Sequence, residues 1–201
     1  MTVILGLIAA LAWGTHDILI RWVSQKSNIY SCLFMVLFFG FIFQTAYLVF
    51  TSDFASIPIS AAGPILASGT AFMLAGIAIY KAFEIGPVQL VAPIVATYAI
   101  ASILWGVVQG DPLTAFQIVA VIAVFVGLYI VVSLGNTGDE QTSSGNRIHA
   151  VLWAAMASFF FALTFGIGQS MVQYAPEMMT ILATRLVALT TLIPVMIFLK
   201  T

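Results

Sequence analysis

The first apolar stretch of the chain contains Ala10-Leu11-Ala12-Trp13-Gly14, followed by Asp17, Arg21 and Trp22. The run has a counterpart 152 residues later, Ala162-Leu163-Thr164-Phe165-Gly166, followed at the same offsets by Gln169, Gln173 and Tyr174. Small, aromatic and polar positions correspond, which marks an internal repeat whose second copy starts near residue 149. Five apolar stretches separate the two starts. An odd number of spans makes the second copy enter the bilayer from the opposite side. Inverted repeats in a membrane protein point first to transport.

Composition supports this reading. Of 201 residues, 62% are hydrophobic and only 6% charged, with a mean hydropathy of +1.14. Soluble domains carry roughly a quarter charged residues, so this chain cannot build a water-facing surface. Runs close to the length of a membrane-spanning helix, about twenty residues, lie at 3–23, 31–51, 63–83, 87–109, 115–134, 149–173 and 178–199. The fold expected is an all-α polytopic membrane protein built of inverted five-helix repeats, with seven spans of a ten-span plan visible. The expected location is the cell (inner) membrane.

Other classes find little support. The formal net charge of −1 offers no basic patch for nucleic acid. Cys32 is the sole cysteine, so an intrachain disulfide is excluded. The first span lacks a basic n-region and a small-residue cleavage site, and reads as retained. No HExxH, serine elbow or clustered metal-ligand set occurs. No enzyme, metal or cofactor is therefore expected.

Residues 136–148 open with Asn136-Thr137-Gly138-Asp139-Glu140-Gln141-Thr142-Ser143-Ser144-Gly145-Asn146-Arg147, a polar, glycine-containing linker. It falls where the repeat puts its joint. The organisation expected is a first repeat over 1–135, the linker, and two helices of a second repeat over 149–201. By the same arithmetic the fifth span should recur near residue 286, so three further spans are expected. Arg21, Lys26, Lys81, Arg147 and Lys200 all lie beside odd-numbered loops. The positive-inside rule then puts the N-terminus outside.

Polar residues inside apolar helices are the candidate functional groups. Gly6, Ala10, Gly14, Asp17 and Arg21 share a sector of about 80° at 100° per residue. That sector should face protein or a water-filled cavity. A mid-bilayer carboxylate costs at least about 2.5–3.5 kcal/mol on insertion scales, so Asp17 reads either as a proton or substrate group or as an ion-pair partner of Arg21. His16 lies off the sector and reads as a headgroup or packing contact. The 4-4-3-4 spacing recurs in Ser158, Ala162, Gly166, Gln169, Gln173 and in Ala67, Ala71, Ala75, Ala78, Ala82. The alanine stripe reads as packing, and Gln169 as a substrate contact or an interhelical hydrogen bond. Trp13, at the level of Asp17, could stack on an organic solute.

The densest polar group is Tyr80, Lys81 and Glu84, followed by Gly86-Pro87, Gln89 and Pro93. Pro87 suits the first turn of a helix. Pro93 removes the hydrogen bond to the Gln89 carbonyl, a break of the kind that lines transporter cavities. Asp111-Pro112 reads as an N-cap with proline at the first helical position. Arg185, two turns inside the seventh span, reads as a snorkelling structural charge, with a buried carboxylate partner as second account.

The run from Tyr80 to Ile94 (Tyr-Lys-Ala-Phe-Glu-Ile-Gly-Pro-Val-Gln-Leu-Val-Ala-Pro-Ile) resembles the third-to-fourth helix junction of EamA-type permeases of the drug/metabolite transporter superfamily. Leu11-Ala12-Trp13-Gly14-Thr15 is similar to their opening Trp-Gly signature, and Gly110-Asp111-Pro112-Leu113-Thr114 with Gly127 to their fifth-helix start. The family pattern has Glu and usually a basic residue where this chain has Asp111 and Pro112. Arg185 matches a basic residue common near the start of the family's second or seventh helix; the first repeat has Leu33 at the equivalent position. The resemblance implies ten helices in two inverted repeats around a central cavity, movement of small organic solutes such as amino acids, other metabolites or drugs, and an N-terminus inside, against the charge tally.

The expected function is that of a secondary-active permease moving a small organic metabolite or drug by alternating access. Its expected partners are the solute, a coupling proton or ion and the lipid bilayer, with no nucleic acid. Candidate pathway residues are Trp13, Asp17, Tyr80, Glu84, Gln89, Pro93 and Gln169; Arg21 and Arg185 are candidate structural charges. Competing classes are a seven-helix receptor or sensor and an intramembrane enzyme. A mid-membrane lysine for a retinal Schiff base is missing from the seventh span.

Overall fold

The computed structural model describes residues 2–52, 54–110, 112–134 and 144–199. Among these the regular structure is helical, without strands: α1 (Thr2–Ser24), α2 (Ile29–Thr51), α3 (Ala62–Ile85), α4 (Val88–Ala96), α5 (Tyr98–Val108), α6 (Ala115–Leu134), α7 (Ser144–Met171) and α8 (Glu177–Leu199). A single 3₁₀ turn, Ile59–Ala61, leads into α3. Six segments are long and apolar enough to cross a bilayer, one of them α4 and α5 together. The fifth predicted span corresponds to α6, whose described apolar stretch is the shorter Ala115–Gly127.

Helix boundaries follow local chemistry. Asn28 caps α2, its side chain accepting from the Tyr30 and Ser31 amides at 2.9 and 3.3 Å, which satisfies two of the free N–H groups of a helix start. Gly86 ends α3, and Pro87 stands just outside α4 as its N-cap rather than inside its first turn. α7 starts at Ser144, so the last residues assigned to the linker, 144–148, are helical, with Asn146 and Arg147 exposed. A helix can run past the bilayer into water once its lipid-spanning part is formed. Residues 136–143 of the linker and Asp111 lie outside the described residues.

α3 is the central helix. It packs along α7 and α8 and also touches α1 and α2. Four of the five alanines in the stripe pack as expected: Ala71, Ala75, Ala78 and Ala82 are buried, the last three in one core with Ala150, Ala154 and Ala157 of α7, while Ala67 is exposed. Without a hydrophobic drive between helices in lipid, such small residues let backbones approach closely. Gly69 brings α3 close to the backbone of α8. A Cβ there would lie 2.5 Å from Val187 Cβ and 2.7 Å from the Thr184 carbonyl oxygen.

The small-residue sector of α1, expected to face protein or a water-filled cavity, meets no other helix among the described residues: Gly6, Ala10 and Gly14 are exposed, and no neighbouring atom lies within 4 Å of a Cβ built on either glycine. α1 instead packs through its C-terminal half, where Ile20 and Ser24 are buried. The repeat register also shifts. α1 ends at Ser24 and α7 at Met171, while α2 starts at Ile29 and α8 at Glu177. Helix boundaries thus recur 147–148 residues apart, about one turn less than 152. The α2 and α8 offset differs from 152 by four residues, a rotation of only about 40°, whereas the α1 and α7 ends differ from it by five, a rotation of about 140°. The boundary register pairs Trp13 with Phe160 or Phe161, and Arg185 with Leu37.

Candidate functional site

A cavity of about 420 Å³ lies among α1, α3, α7 and α8. Its wall includes Trp13, Phe72 and Phe165, with Gln169, Glu177 and Arg185 as polar members. Sites for small molecules typically measure roughly 300–1,000 Å³, mostly apolar with a few placed polar groups. At its floor α3 and α7 are joined by a reciprocal pair. Ser68 Oγ donates to the Thr164 carbonyl at 3.3 Å, and Thr164 Oγ1 lies 3.4 Å from the Ser68 carbonyl and 2.9 Å from that of Phe160. Both side chains are buried, so each hydroxyl needs these partners.

Trp13 also belongs to an aromatic cluster beside the cavity. Phe161 packs against Trp13, Phe72, Tyr98 and Phe165, with ring centroids 5.7–6.2 Å apart. Tyr98 stacks on Phe165 at 5.2 Å. On the other side of Trp13 its ring meets His16 edge-on at 5.3 Å, and His16 Nδ1 lies 3.4 Å from Asp17 Oδ1. One indole therefore connects the cavity to the carboxylate of α1.

A sequence model of the EamA-like transporter family matches residues 1–133. The chain belongs to that family. Searches of curated proteins and of solved structures found no match. The EamA-like chain is thus an integral membrane protein, from a family of transporters rather than enzymes. The matched region spans α1 to α6 almost to its end; α7 and α8, which supply much of the cavity wall, lie beyond it.

The predicted residues divide between this cavity and the far end of α3. Trp13 and Gln169 line the cavity, and Gln169 also borders a smaller one of about 170 Å³ beside α5. Asp17 is partly buried next to Trp13, but its partner among the described residues is His16, not Arg21. Arg21 Nη1 instead donates to the carbonyls of Phe83 and Glu84, at 2.7 and 3.2 Å. With the Gln25 amide turned to accept, that side chain holds the guanidinium from the other side at 2.8 and 2.9 Å. A cation on the free carbonyls of a C-terminal turn favours the helix dipole, and among the described residues no i, i+4 ion pair joins Arg21 to Asp17.

Tyr80 is only 3% exposed in the α3 core and is not part of the cavity wall. Lys81 Nζ pairs with Glu84 Oε2 at 2.6 Å, and Gln89 is exposed in the first turn of α4. None of Tyr80, Glu84, Gln89 or Pro93 reaches the cavity. Pro93 sits inside α4, while the interruption falls one turn later, at Thr97 between α4 and α5. Thr97 N tightens onto the Ile94 carbonyl at 3.2 Å, and Thr97 Oγ1 bridges to Ser158 Oγ of α7 at 2.9 Å. The missing proline N–H weakens the turn; the hydroxyl pair fixes where it opens.

Arg185 reaches across to α2. Its guanidinium occupies the space beside Gly40, midway along α2, where any Cβ would collide with Nη1. That berth lies away from the end of α8. No acid pairs with it among the described residues, and its buried Nε has no hydrogen-bond partner; the same holds for Gln44 Oε1 one turn along α2. A mid-membrane arginine costs at least about 2.5–3.5 kcal/mol on insertion scales. Sequence reasoning also missed His16, set aside for its helical angle, and the Ser68–Thr164 pair, whose lone hydroxyls carry no spacing signal.

Proposed function

We propose that this EamA-like transporter is a secondary-active permease that moves a small organic solute through the cavity among α1, α3, α7 and α8 by alternating access. The carrying observation is the cavity's position. It lies where helices of the 1–135 segment meet the two helices of the 149–201 segment, the seam between the proposed inverted repeats. In repeat-built transporters the solute site lies at such a seam, and rocking of one repeat on the other exposes it to each side in turn.

The seam contacts suit that motion. Ser68 and Thr164 join α3 to α7 by two long hydrogen bonds of 3.3 and 3.4 Å, and each is worth only about 0.5–1.5 kcal/mol net. Trp13, Phe72 and Phe165 offer faces for an apolar or aromatic body. Asp17, in contact with His16 and one turn from Trp13, is the group we assign to a coupling proton or ion. A carboxylate that changes protonation beside the seam would bias one cavity state over the other.

The test is uptake into proteoliposomes of purified protein, with a proton gradient imposed, reversed and absent. A solute accumulated against its gradient, and released on dissipating the proton gradient, is the expected result. Uptake that never exceeds empty liposomes for any of a broad panel of organic solutes would end the permease reading.

A further inference from the structure

We propose that the cavity takes an organic anion, a carboxylate or similar oxyanion with an apolar body, and that Arg185 is its charge-recognising residue. The inference deepens the permease reading and rests on it. Arg185 lines the cavity, yet its Nε is buried without a hydrogen-bond partner. The carboxylate nearest in chain, Glu177, lies eight residues back on α8, about 12 Å along the helix, and no ion pair joins the two among the described residues. A guanidinium is a planar fork of donors that matches a carboxylate in bidentate geometry. Partial burial of Arg185 strengthens that attraction, because charges away from bulk water are screened less.

The surroundings hold the guanidinium for this task. Gly40 leaves the berth on α2 into which Nη1 fits; a methyl group there would have to push the side chain aside. Trp13, Phe72 and Phe165 are apolar walls of the same cavity, so an anion with a flat or hydrocarbon body satisfies both parts.

The experiment uses the purified full chain in lipid nanodiscs. Acetate, benzoate and phenylacetate are each titrated against the uncharged acetamide, benzamide and phenylacetamide, read by calorimetry. At least one carboxylate should bind tenfold or more tightly than its amide. Arg185→Gln should abolish that preference, Arg185→Lys should keep part of it, and Gly40→Ala should weaken it without removing the charge. In the unsubstituted protein, phenylglyoxal labelling of Arg185, read by mass spectrometry, should be slowed by the preferred carboxylate and not by its amide. This arm decides the matter if Arg185→Gln fails to fold. Equal binding of every carboxylate and its amide, an unchanged preference in Arg185→Gln, or no protection of Arg185 would overturn the assignment. Carboxylate binding of the expected kind without any transbilayer uptake would instead sink the permease reading alone.

Discussion

Gly69→Ala measures how closely α3 must approach α8. The added Cβ would sit 2.5 Å from Val187 Cβ and 2.7 Å from the Thr184 carbonyl oxygen, against the roughly 3.5–4.0 Å of an ordinary carbon contact. The helices must therefore separate by about 1 Å at that level, and the nearer obstacle is a β-branched stem and backbone, not a flexible tip. Overpacking of this kind costs about 1–3 kcal/mol. Replacing glycine inside a helix returns about 0.5–1 kcal/mol of conformational entropy, so the net loss should be roughly 0.5–2 kcal/mol. Gly6→Ala is the matched control. It lies in α1 with no atom within 4 Å of its Cβ and should be neutral or stabilising by up to about 1 kcal/mol. Unfolding of both variants, followed by circular dichroism in mixed micelles against a denaturing detergent, gives the comparison. Because Thr184 and Arg185 line the cavity beside this contact, solute affinity should fall in Gly69→Ala as well. A Gly69→Ala protein as stable as Gly6→Ala would refute the close packing on which the cavity's shape rests.

Three further outcomes are expected. Arg21→Gln should destabilise by about 1–3 kcal/mol, the worth of hydrogen bonds to a charged group, read in the same unfolding assay; no change would mean that the Phe83 and Glu84 carbonyls find equal partners without it. Asp17→Asn should lower gradient-driven uptake while leaving membrane insertion and stability close to wild type, since the amide keeps the shape and cannot ionise; unchanged uptake in proteoliposomes would remove Asp17 from coupling. Pro93→Ala should restore the bond to the Gln89 carbonyl and gain up to about 3 kcal/mol of helix propensity, yet disturb the Thr97–Ser158 contact and slow transport, and a variant equally active and more stable would make the interruption incidental.

The class of this protein was legible in its sequence because lipid imposes simple conditions. Runs of about twenty apolar residues must be helices, since every backbone polar group needs an internal partner. Alanines spaced 4-4-3-4 along α3 were readable as a packing stripe, because position on one helix face follows from helical geometry alone. Facing residues on one helix says nothing about which other helix comes to meet them. Gly6, Ala10 and Gly14 look like an interface and have none in the described structure, whereas Gly40 and Gly69 gave no such pattern and make close contacts with α8. Long polar side chains magnify the uncertainty. Arg21 could reach Asp17 on its own helix, yet its length carries it to the last turn of α3, and Arg185 reaches the middle of α2. Local spacing set the helices and their faces; the choice of partner for each charge belonged to the tertiary structure, because it depends on which free carbonyl, glycine berth or cavity lies within a side chain's reach.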